Sequence, residues 1–111
     1  MVIVLVDLRV TDVTRVLPTL AELRREAVRQ PGYISGNTLV GVEDKSLICI
    51  ETIWEGVKEW KEWEKSQSQI EIFRKLLPYL SEKSNIKIYR YLSYHTEAHM
   101  EDAGQDIKMR E

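Results

Sequence analysis

The chain has 111 residues, 43% hydrophobic and 31% charged, which suits one folded domain with a well-solvated surface. Its 16 basic and 18 acidic side chains leave a formal charge of −2, so no counterion-release drive pulls it toward nucleic acid. No run of about 18 apolar residues is present, which excludes a helical membrane span as an expectation.

The opening MVIVLVDLRV is apolar but lacks the basic flank and small-residue cleavage site of a signal peptide, so the cytoplasm is the expected location. Val2–Val10 is rich in β-branched residues and predicts a strand. Val2, Val4, Val6, Leu8 and Val10 make one apolar face, while the other runs Ile3, Leu5, Asp7, Arg9. From about Thr14 to Gln30 the period becomes helical, with Val16, Leu20, Leu23 and Ala27 as the stripe. Pro18 is tolerated in a first turn, which moves the expected start toward Leu17. The QPGY segment ends this helix through Pro31 and Gly32.

YISGNTLVGV (Tyr33–Val42) predicts a second strand, with a bend or bulge near Gly36 and Gly41, and EDKS predicts a turn. SLICIETIW (Ser46–Trp54) follows as the other arm of a hairpin. It contains Cys49, the only cysteine, which cannot pair internally and reads as a small buried hydrophobe. In EGVKEWKEWEKS the apolar residues Val57, Trp60 and Trp63 share a helical face. Ser68 and Glu71 suggest a capping box for a further helical piece carrying Phe73, Leu76, Leu77 and Leu80, which Pro78 shortens. NIKIYRYLSY (Asn85–Tyr94) alternates as a fourth strand.

The order β–α–β–β–α–β predicts an α+β, ferredoxin-like four-stranded antiparallel sheet over residues 1–94, with a polar tail or arm over 95–111. Strands apolar on both faces call for a second cover, and an identical subunit is the simplest one, giving a homodimer. In the tail, His95 and His99 stand at i, i+4 with Glu97 between them, half of a metal-ligand pattern, and no metal site is expected.

RQPGYISGNTL, IETIWEGVKEWKEWEKS and IKIYRYL together resemble the antibiotic biosynthesis monooxygenase family. The most telling part is a strand ending in Trp54, an aromatic position six residues on at Trp60, Trp63 at nine on, and Ser66 three further. The resemblance spans about Val2 to Tyr91 and implies a dimeric α+β barrel with one pocket per subunit between sheet and helices. It implies oxidation of small aromatic, quinol-like substrates by O2 with no cofactor. A sister group cleaves haem, and Asp7 stands where that group has an Asn. Trp63 stands where many relatives have His, and Phe73 lies in the region of the haem group's iron-ligating His. No His occurs between Met1 and Tyr94, which argues against haem cleavage.

Within this frame Trp54 and Trp63 are candidates to wall a cavity for a flat ligand, whereas Trp60 reads as packing. Asp7, in an apolar setting, is a candidate to accept a substrate proton, and Tyr91 to donate to a substrate oxygen, with Tyr89 as the other choice of register. Arg9 and Arg90 are candidates to offset developing negative charge, and Asn37 and Phe73 to contact substrate. The expected function is thus a cofactor-independent monooxygenase with Asp7, Trp54 and Tyr91 at its centre. The alternative is a non-catalytic, stress-related small-molecule-binding dimer, with haem degradation a distant third.

Overall fold

Alternation in the first nine residues gives the strand two unlike faces, and both are used. In the computed structural model, which describes residues 1–93, this strand is β1 (Val2–Arg9) and lies inside a four-stranded antiparallel sheet. The chain continues through α1 (Val13–Ala27), β2 (Tyr33–Val40), β3 (Leu47–Trp54), α2 (Val57–Glu64), α3 (Gln67–Arg74), a 3-10 turn (Leu77–Tyr79) and β4 (Asn85–Arg90). Strand order is β2-β3-β1-β4, with the helices on one face, which is the expected ferredoxin-like arrangement. The expected tail and the His95/His99 pair lie outside the described residues.

α1 begins four residues earlier than Pro18 suggests. The Asp12 side chain accepts from the Arg15 N–H at 3.4 Å and caps the helix there. Pro18 sits inside the helix on an exposed face, so the carbonyl left without its usual N–H donor meets water. After the helix, Gly32 adopts φ +87°, and the Glu59 side chain from α2 fills the place a Cβ would take. The bulge in β2 falls between Tyr33 and Ser35, which leaves Ile34 exposed.

The cap of α3 is Ser66 rather than Ser68. Its hydroxyl accepts from the Gln69 N–H at 3.2 Å and donates to the Trp63 carbonyl at 2.8 Å, tying the end of α2 to the start of α3. Ser68 is already inside the first helical turn. β4 stops at Arg90 instead of continuing to Tyr94 because its partner β1 runs out: the last pair is Val2↔Arg90.

Register fixes the faces. Val2, Val4, Val6 and Leu8 stand opposite Trp54, Thr52, Ile50 and Ile48, and all look toward the helices. Ile3, Leu5, Asp7 and Arg9, with Ile53, Glu51, Cys49 and Leu47, form the other, open face. The core on the helix side has two clusters. One holds Val2, Val4, Leu23, Ala27, Trp54, Trp60, Trp63 and Ile72. The other holds Leu8, Val10, Val16, Leu20, Ile48 and Leu76.

Candidate functional site

Val6 and Ile50 face each other across β1 and β3 and pack against both clusters. Between the clusters lies a cavity of about 260 Å³. Its sheet wall is Val6, Ile50, Thr52 and the Tyr33–Thr38 part of β2; its helical wall is Leu20, Leu23 and Ala27 of α1, Trp60 and Trp63 of α2, and Phe73 of α3. A well-packed small core leaves few voids larger than a water molecule, so a gap of this size between two clusters is a built feature. An apolar cavity of roughly 150 Å³ accepts benzene. This one has room for a fused ring system, with four aromatic side chains in its lining.

Polar side chains enter the lining at several points, Gln69 of α3 among them. Arg24 and Glu64 stand on the helical side, the first exposed and the second half-buried, and neither has an ion-pair partner among the described residues. Tyr33, Thr38, Thr52 and Ser84 bring hydroxyls. Thr52 is held from below: the Trp54 indole N–H donates to its Oγ1 at 2.8 Å. Trp54 also meets the Tyr33 ring edge-on, with centroids 5.4 Å apart and planes at 89°. Gly36 lets the Tyr33 hydroxyl and the Thr52 methyl sit over the same stretch of backbone. A Cβ there would lie 2.6 Å from the Tyr33 hydroxyl and 3.1 Å from Thr52 Cγ2.

Of the residues singled out from the sequence, Trp63, Phe73 and Asn37 line this cavity. Asn37 does so through its backbone, because its register places the side chain on the open face, where its amide donates to Glu51 Oε1 at 3.1 Å. Trp54 is 0% exposed and packs beneath the lining rather than in it. Trp60, the indole that the helical spacing assigns to packing, is a wall residue. Trp60 also packs in the buried core, as its spacing implies, and Trp54 lies edge-on against the Tyr33 ring.

Asp7 and Arg9 are on the opposite side of the sheet from the cavity. They border a second, more open hollow of about 490 Å³ at the strand ends, with Leu39, Leu47, Cys49 and Lys83. They do not pair with each other. Arg9 bonds Asp44 at 2.8 Å and approaches Glu82 at 3.7 Å, and the Asp44 contact raises its pKa. Asp44 in turn accepts from the Ser46 hydroxyl at 2.6 Å and the Ser46 N–H at 3.0 Å. The Ser46 hydroxyl and then Arg9 hold its carboxyl down at about 2. Cys49 stands opposite Asp7, and burial, then the carboxylate of Asp7, push its thiol up to about 11. Arg90 ends the fourth strand and Tyr91 follows it, neither of them in the lining, and Tyr89 stands opposite Ile3 on the open face. None of Asp7, Arg9, Trp54, Arg90 and Tyr91 lines the cavity between sheet and helices.

Sequence reasoning passes over Tyr33, Gly36, Thr52, Arg24 and Glu64. For Thr52 a signal exists: it is the one polar residue in the series Ile48, Ile50, Thr52, Trp54, the inward set of β3. Among the described residues no group of three His, Cys, Asp or Glu is placed to hold a metal ion, and no helix is long and apolar enough to cross a membrane.

No protein-family model matches the chain, and no curated protein does either. Solved structures match it over most of its length. A conserved protein from Methanosarcina mazei Go1 superposes with TM-score 0.76 and 21% identity, covering 80% of this chain and 90% of that one. A structure described as an antibiotic biosynthesis monooxygenase gives 0.77 and 12%, covering 84% and 100%. SnoaB, a cofactor-independent oxygenase from Streptomyces nogalater, gives 0.77 and 12%, covering 86% and 97%. At such identities the likeness is one of fold.

Proposed function

We propose that this protein is a cofactor-independent monooxygenase of the antibiotic biosynthesis monooxygenase type, acting with O2 on a small planar aromatic or quinol-like substrate. The observation that carries the reading is the aromatic-walled cavity that divides the helix-side core. The fold shared with a cofactor-independent oxygenase supports it.

The chemistry follows from the lining. Trp60, Trp63 and Phe73 stack on the ring system and, with the aliphatic residues, keep bulk water out. Glu64 is the carboxylate of the lining and takes a proton from an activated phenol or ring methylene. The resulting anion is delocalised over the rings, and Arg24 offsets its charge. The anion passes one electron to O2. Superoxide and the substrate radical then join through a C–O bond, and protonation gives a hydroperoxide. Loss of water from it leaves a carbonyl: one oxygen atom of O2 stays in the product and the other departs in water, with the proton first taken from the substrate and the hydrogen left on the oxygenated carbon. Asp7 and Arg9, across the sheet, take no part in this scheme.

We also propose that two copies join through the open sheet face. Support comes from the apolar side chains it presents, among them Ile3, Leu5, Leu39, Leu47, Ile53 and Tyr89.

An oxygen electrode tests the activity. With an anthrone the wild-type protein is expected to consume one O2 per substrate, and Glu64→Gln to lower kcat by about 10²-fold while ligand affinity persists. Binding without oxygen consumption across a panel of anthrones and quinols would replace the oxygenase by a non-catalytic small-molecule binder.

A further inference from the structure

We infer that the hydroxyls of Tyr33 and Thr52 form an oxygen-reading pole of the cavity, held in place by buried Trp54, and that they select ring systems carrying a phenolic or carbonyl oxygen on one edge. The inference rests on the proposed use of the cavity and adds to it what the ligand must present.

Three features converge on this pole. The Tyr33 hydroxyl has no hydrogen-bond partner among the described residues, although its ring is half-buried and borders the cavity. The Thr52 oxygen accepts the Trp54 indole N–H at 2.8 Å, which leaves its own hydrogen free to donate. Both side chains come together over Gly36, where a Cβ would meet the Tyr33 hydroxyl at 2.6 Å and Thr52 Cγ2 at 3.1 Å. A hydroxyl without a partner beside an apolar space is costly when a dry ligand covers it. A ligand with an oxygen at this end removes that cost by accepting from both donors. A hydrocarbon of the same shape leaves the two hydroxyls unsatisfied.

Trp54 is the positioning residue. It grips Thr52 through its indole N–H and sets the Tyr33 ring by an edge-on contact, while being 0% exposed and outside the lining. One buried indole thus orients both donors, so the selectivity of the pole should change when Trp54 changes, even where ring binding persists.

The test compares 1-naphthol with naphthalene, titrated under nitrogen and followed by quenching of the cavity indoles. The ratio of the two Kd values, set against the same ratio in a variant, cancels the different hydration of the two compounds. Tyr33→Phe, which removes a hydroxyl no other described residue uses, is expected to shift the ratio by about tenfold against naphthol. Thr52→Val should do the same, Thr52→Ser should keep the wild-type ratio, and Trp54→Phe should shift it while naphthalene still binds. An unchanged ratio in Tyr33→Phe and Thr52→Val overturns the inference. Failure of both compounds to bind wild-type protein overturns the inference and the use of the cavity together. A shifted ratio without oxygen consumption on any anthrone upholds the inference and removes only the oxygenase reading.

Discussion

A methyl group added at Gly36 would meet the Tyr33 hydroxyl at 2.6 Å, the Glu51 carbonyl oxygen at 3.0 Å and Thr52 Cγ2 at 3.1 Å. The backbone oxygen cannot retreat, so the Tyr33 ring must. Gly36→Ala is therefore expected to weaken naphthol binding by about tenfold with little change for naphthalene, read by the same quenching titration. On the other face, the Asp44 carboxyl is drawn from 3.8 down to about 2 by the Ser46 hydroxyl and Arg9. A folded-state pKa below the unfolded one stabilises the protein above the unfolded value, and that contribution is lost as pH falls through the folded value. Urea melts of wild type and Asp44→Asn should differ near pH 6, converge as pH drops below about 4 and coincide only below about pH 2. The Cys49 thiol, raised to about 11, should alkylate slowly at pH 8 and reach half its maximal rate only near pH 11, as a maleimide or iodoacetamide pH series will record. Residue types in the sequence reveal few of these roles. Asp7 and Arg9 share a face at i, i+2 and invite pairing, but Arg9 turns to Asp44, 35 positions along the chain. Tyr33 and Thr52 gain meaning only when β2 pairs with β3.

Helices and strands were largely legible, because apolar spacing is a local property. The 2-residue period of β1 and the Val16–Leu20–Leu23–Ala27 stripe of α1 both appear where the pattern puts them. Ends were less legible, because capping and partner length set them. Asp12 outweighs Pro18 at the start of α1, and the N-terminal end of β1 cuts β4 short at Arg90. The cap of α3 separates two serines of similar promise. Ser66→Ala should cost about 1 kcal/mol in urea denaturation, whereas Ser68→Ala should cost little. The cap also bears on the site, since the same Ser66 hydroxyl bonds the carbonyl of Trp63, a wall residue. Which indole reaches the cavity was not legible. Helical period places Trp60 and Trp63 on one face of α2, but only the crossing of α2 over the sheet decides that both look into the gap, while Trp54 lies beneath it.

At the scale of the molecule, a single sheet divides two environments: a helix-covered side with a cavity in its core, and an open side whose apolar residues ask for a cover. Tyr89 is 52% exposed, Leu39 45% and Leu47 39%, an unusual set for one sheet face of a small domain. Sedimentation at micromolar concentration should give about twice the 13.0 kDa chain mass, and Ile53→Lys, which puts a charge in the middle of that face, should return the single-chain value. The proposed chemistry requires that the ligand enter on the helix-covered side of the sheet. Amide and indole NMR shifts recorded while an anthrone is added under nitrogen decide this most directly. The largest changes are predicted at Tyr33, Thr52, Trp60, Trp63 and Phe73, with Asp7, Cys49 and Lys83 nearly still. Changes centred on Asp7, Cys49 and Lys83 with a silent cavity, or no saturable change anywhere, would contradict it.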